Sequence, residues 1–246
     1  MIVVLVLCAL LAPLLAGVVL APMAQPQAYH DFADQRTMLG IPHAFNVISN
    51  LPFLLVGALG LALLARADMS TPRATRPPWV AMFVGVALTA FGSGWYHLNP
   101  NDATLVWDRL PMALGFAGLV AGTLIDRLHR WQWPLLAAFV LIGTGSVAGW
   151  AVSGNLVPYL VMQAGFILVA LAATALVPSS YTRASWLYWA TALYAAAMVA
   201  ERLDRPIHAL LSETLSGHTL KHFFAAASTY LVYRMLRQRR AAACGG

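Results

Sequence analysis

A chain of 246 residues that is 60% hydrophobic and only 10% charged, with a mean hydropathy of +0.71, lies far from soluble proteins, which carry about 25% charged residues. This composition excludes an ordinary soluble enzyme and points to an integral membrane protein. Two cysteines at opposite ends, Cys8 and Cys244, exclude a disulfide framework and a cysteine-based metal site.

A helix needs about 20 mostly apolar residues to cross a bilayer. The first such stretch, near 2–22, has no basic residue before its apolar run and is longer than the usual signal-peptide core of about 7–15 residues. Its end, small residues and then Gln and Pro, still resembles a cleavage region, so residues 1–25 are read as an uncleaved extra helix with a signal peptide as the alternative. Cys8 follows Leu7 rather than a small residue, which argues against a lipoprotein anchor. Seven further stretches follow near 43–65, 78–97, 104–125, 132–152, 156–177, 184–200 and 217–236. These are long Leu/Ala/Val-rich runs, unlike the alternating segments of about ten residues that build membrane barrels. The expected fold class is all-α: a polytopic seven-transmembrane-helix bundle over 26–240, an additional N-terminal hydrophobic helix or signal segment, and a disordered small-residue tail over 241–246. The linkers, RADMSTPRATRPP (66–78) and VPSSYTR (177–183), are short and polar.

If the seven later spans alternate, one side collects ten arginines against Asp68 and Asp126, a balance of +8. The other collects five basic against seven acidic residues, or −2, and the two sum to the formal net charge of +6. Cytoplasmic loops concentrate Lys and Arg, so the arginine-rich side and the C-terminus are placed inside. The positive charge is thus a topology signal that implies no nucleic-acid partner. The run RMLRQRR (234–240) reads as an anchor on anionic lipid heads.

Six of the seven histidines, His30, His43, His97, His208, His218 and His222, map to the outer side or to helix ends beside it; His129 sits in the arginine-rich loop. Ser93 and His97, four apart, share one helix face, and so do His218 and His222. The turn at Asn99, Pro100 and Asn101 makes the second and third core helices antiparallel neighbours, which brings Asp108 to the level of His97. Catalytic zinc commonly takes three protein ligands and leaves a fourth position for water. His97, His218 and His222 supply such a set if the last helix packs against those two. The stretch is not the H-E-x-x-H helix of zinc proteases, because Thr219 stands at the glutamate position.

SGWYH (93–97), Asp108 in VWDRLP and HTLKH (218–222), together with FNVISNLPFLLVG (45–57) and ERLDRP (201–206), resemble the alkaline ceramidases. That family belongs to a wider group of seven-helix membrane hydrolases that includes the adiponectin and progestin receptors. The resemblance spans about residues 30–236 and rests on five residues on three helices. It implies a zinc-dependent amidase that cleaves the N-acyl bond of ceramide, or of a related N-acyl lipid, by attack of a zinc-bound water. Asp108 would be the general base, and Ser93 a donor to the developing oxyanion. His208 and Asp204 are weaker candidates, and Asp204 is expected to pair with Arg202 or Arg205 instead.

The family's eukaryotic members carry an acidic calcium site near the N-terminus. Here Asp31 and Asp34 remain, but Arg36 falls where an Asn ligand would be and His43 near the Glu position. Calcium prefers several oxygen ligands, so a second cation at Asp31 and Asp34 is doubtful and a solvated loop is the competing reading. His43 is instead a candidate to reach the zinc pocket or a substrate headgroup.

Two other readings compete with the hydrolase. One is a lipid-binding or receptor-like protein in which zinc only clips helices together. The other is a haem protein, which histidines four apart on one helix cannot complete alone. Fourteen arginines to one lysine, with much Ala, Leu and Gly, suggest a GC-rich bacterial source, hence an inner membrane with the zinc site facing the periplasm. The expected partners are a membrane lipid substrate and the bilayer, with no obligate protein partner.

Overall fold

The computed structural model describes residues 1–128 and 131–242. His129, Arg130, Cys244 and the expected tail from 243 onward lie outside the described residues. Among the described residues the protein is all helical. Six stretches are long and apolar enough to cross a membrane: α1 (Ile2–Val19), the broken pair α2 (Ala44–Ile48) and α3 (Leu51–Ala65), α4 (Pro77–Leu98), α5 (Asp102–Leu128), α6 (Gln132–Ser153) and α7 (Val157–Leu176). This is a multi-pass membrane protein. Three more helices follow, α8 (Trp186–Arg202), α9 (Asp204–Leu210) and α10 (Gly217–Gln238). At 17 residues α8 is shorter, and α10 carries charged and histidine residues along its length.

Local chemistry sets the helix ends. Proline in the first turn of α3, α4 and α7 costs no hydrogen bond, because those N–H groups have no partner within the helix. Gly154, at φ 73°, closes α6. Ser216 caps α10, its hydroxyl accepting from the Thr219 N–H at 3.0 Å. The break between α2 and α3 follows from Pro52, which has no N–H to offer the Ile48 carbonyl. The Asn46 carbonyl accepts instead from the Asn50 side-chain amide at 2.7 Å and from the Ser49 hydroxyl at 3.2 Å.

The most extensive packing is between α4 and α5, then between α8 and α10. Glycine permits both. A Cβ on Gly118 would run into the Met82 backbone of α4, and one on Gly217 into the Ala200 carbonyl of α8. α1 lies against α7, and α3 lies between α4 and α10. At the arginine-rich end, Arg239 is buried and paired with Asp126, and also donates to the Thr71 hydroxyl at 2.8 Å. The reading of 234–240 as a lipid anchor is therefore corrected for Arg239: desolvation selects a carboxylate and a hydroxyl for it in place of lipid heads. Beyond it, the backbone of Ala241 and Ala242 pairs with Tyr181 and Ser180.

Candidate metal centre

At the other end of the bundle, His97 closes α4 while His218 and His222 open α10. Their ligand atoms all lie within 4.8 Å of one another, the only such convergence of three or more His, Cys, Asp or Glu among the described residues. The imidazole centroids form a near-equilateral triangle of 4.9, 5.0 and 5.1 Å. All three rings are buried, at 1% to 3% exposure. Nδ1 of His97 and Nε2 of His218 are buried with no hydrogen-bond partner. Such orphaned atoms are destabilising, and a metal ion would satisfy both.

The third ring is oriented by a hydroxyl. Ser49 Oγ lies 2.7 Å from His222 Nδ1 and itself donates to the Asn46 carbonyl. Its lone pairs are therefore left to accept the Nδ1 proton, which leaves Nε2 of His222 free as a ligand. Thr219, between the two α10 histidines, donates to Asn46 Oδ1 at 2.9 Å. The proline break in the α2–α3 stretch thus sets the polar support of the cluster. Outer partners of this kind commonly fix the tautomer of metal-binding histidines. Glu201 lies 3.9 Å from His218 Nδ1, accepts from the Tyr29 hydroxyl at 2.9 Å and is paired with Lys221.

A strap between α1 and α2 covers the cluster. Phe32, 2% exposed, packs its ring 4.5 Å from His218 and 4.7 Å from His97. The strap is fastened by Gln25, which accepts from Arg109 at 2.6 Å, by Tyr29, and by Asp204. Below the cluster opens a largely apolar cavity holding about 1060 Å³ of empty space, its mouth included. His222, Lys221, Asp108 and Ser93 line its polar end, with Ser93 facing the Asp108 carboxylate.

Other sequence candidates find different roles. Asp204 pairs with neither Arg202 nor Arg205: its two oxygens accept backbone N–H groups of His218 at 2.7 Å and Ala33 at 2.8 Å. It ties the strap to the start of α10, where unsatisfied helix N–H groups favour a carboxylate. Asp31 pairs with Arg205 at 2.6 Å. Asp34 is 1% exposed and held by Arg36 at 2.5 and 2.8 Å. Both carboxylates are thus committed to arginines, and the solvated-loop reading is corrected for Asp34. Burial raises the Asp34 pKa, but the side-chain and backbone hydrogen bonds and charge of Arg36 outweigh it, leaving a net value below the usual one. His43 does not enter the cluster: its Nδ1 bonds to the His97 carbonyl at 2.9 Å. His208 lies on α9 outside the cluster.

Sequence reasoning missed Asn46, Ser49, Glu201, Lys221 and Phe32. Polar Asn46 and Ser49 within an otherwise apolar span, and the chain's one lysine between two histidines, were the available signals. The geometry defines a multi-pass helical membrane protein with a buried three-histidine centre able to hold a metal ion. No protein-family model and no curated protein matches the chain.

Proposed function

We propose that the protein is a zinc-dependent intramembrane amidase that cleaves the N-acyl bond of ceramide or a related N-acyl lipid, as its resemblance to the alkaline ceramidases implies. One observation carries the reading: the orphaned imidazole nitrogens of His97 and His218 converge with His222, which lines the polar end of an apolar cavity together with Asp108 and Ser93. The nitrogen-only donor set suits zinc over calcium or magnesium, which take oxygen ligands.

His97, His218 and His222 would hold the ion. When bound, zinc lowers the pKa of a coordinated water and polarises an acyl oxygen. Asp108 takes the proton of the attacking water and returns it to the departing amine. The amide C–N bond breaks, and fatty acid and amine lipid leave. Ser93 donates its hydroxyl to the acyl oxygen as negative charge develops there. Phe32 and the strap keep bulk water from the cluster, and the cavity walls orient the acyl chain.

In this reading α2–α3, α4, α5, α6, α7, α8 and α10 form the seven-helix core, and α1 is an additional membrane helix. α8 and α10 cross beside their partners, where their polar residues are shielded. The arginine-rich end and the C-terminus face the cytoplasm, and the metal end faces the periplasm of a bacterial inner membrane. Replacing Asp108 with Ala separates this reading from a lipid-binding protein with a structural zinc. The variant is expected to retain the metal and lose turnover of N-acyl sphingoid lipids by about 100-fold or more. Undiminished turnover would remove Asp108 as the base.

A further inference from the structure

The cavity follows α10 from Lys221 to Val232, a rise of roughly 16 Å at about 1.5 Å per residue. That matches the depth of one leaflet, about half of a hydrocarbon core of about 30 Å. A second, much smaller pocket, about 230 Å³ with its open mouth included, lies beyond its deep end. The two are stacked along the same helices. On α4 the lining passes from Met82 to Trp79, on α5 from Leu119 to Thr123, and on α10 from Val232 to Met235, each a step of about one turn. Leu187 of α8, 5% exposed, lines both spaces.

We infer that Leu187 is the stop that sets the longest acyl chain the cavity accepts, an inference that rests on the acyl-lipid reading above. The lining changes character across it. On the cavity side are aliphatic and small side chains; on the other side are Asp126, Arg127 and Arg239. A methyl end that passed Leu187 would enter polar surroundings, so the limit is set by chemistry as well as by space. Leu187 lies in the first turn of α8, whereas Glu201, beside His218, lies at the opposite end of that helix. Substitution of Leu187 changes which chain fits while leaving the reacting groups in place.

The test is binding of saturated fatty acids of graded length to the purified, metal-loaded protein, read by displacement of radiolabelled palmitate. In the wild type, affinity should rise about fourfold per added methylene, as burial of each CH₂ predicts, and then level off. Leu187→Ala should move that levelling point to longer chains, by at most about 5 Å, one helical turn, because the charged groups beyond it remain, and Leu187→Phe should move it to shorter ones. The volume-conserving Leu187→Met should leave it in place, and equal metal content across the variants checks that each is folded. A levelling point unmoved in both Ala and Phe variants overturns the inference while leaving the hydrolase reading intact. A movable limit without any amide hydrolysis keeps Leu187 as the stop and removes the hydrolase reading. No binding at any length overturns both.

Discussion

The two ends of the bundle both bury charge, and they do so to opposite effect. At the arginine-rich end Arg239 is matched to Asp126 and Thr71, and Arg76 donates to the carbonyls of Leu64, Arg66 and Thr71. These bonds close helix ends and fasten the C-terminal segment. At the histidine end Ser49 and Thr219 are bonded, while Nδ1 of His97 and Nε2 of His218, both in the cluster, have no partner. Buried polar groups are nearly always paired, and single exceptions occur at both ends, Trp79 Nε1 and Arg127 Nη2 at the arginine-rich one; what sets the histidine end apart is that its two orphaned imidazole nitrogens belong to one three-residue cluster. A buried polar residue is therefore informative less by its presence than by whether its unpartnered atoms converge with others.

That contrast can be broken by substitution. Asp126→Ala leaves Arg239 buried without its carboxylate and should destabilise the protein by about 3–5 kcal/mol, read as a lowered midpoint in detergent unfolding, with metal binding per folded molecule unchanged. A loss of metal affinity there would join the two ends and refute the division. Ser49→Ala should leave the fold largely intact and weaken metal binding by about 10–100-fold, the usual effect of removing an outer partner of a ligand; competition with a chelator measures it. If affinity is undiminished, the hydroxyl does not orient His222.

The smallest effect concerns the strap. Arg36 holds the Asp34 pKa below its ordinary value, so the stabilisation from this carboxylate is fully present above its unfolded pKa of about 3.9 and is lost as pH falls through the lower folded value. Asp34→Asn should therefore lower the melting temperature modestly near neutral pH and converge with wild type as pH falls through the lowered folded value. Parallel curves throughout would mean that the pair contributes no pH dependence.

Much of this was legible in the sequence. Long apolar runs located the helices, and i, i+4 spacing put His218 and His222 on one face. The short turn at Asn99–Asn101 made α4 and α5 neighbours, and Asp108 faces Ser93 one turn from His97. Other roles depended on contacts that no local pattern encodes. Arg239 sits in a run of arginines that looks uniformly exposed, yet the end of α10 places it against Asp126. Asp204 lies between two arginines, but the chain path offers it two backbone N–H groups instead. Ser49 lies at the break between α2 and α3 and there meets His222 of α10, a partner 173 residues away that no local pattern encodes. Lys221 counted only as one of the outer-side charges, whereas α10 buries it in the bundle, paired with Glu201.

The central claim is that the three imidazoles form a metal centre. Elemental analysis of the purified wild type beside His218→Ala, each offered zinc and then desalted, tests it most directly. The proposed reading predicts about one zinc per wild-type chain, as befits one three-ligand site, and none retained by the variant. A folded wild type that stays metal-free, or a His218→Ala variant that keeps its zinc, would contradict the account.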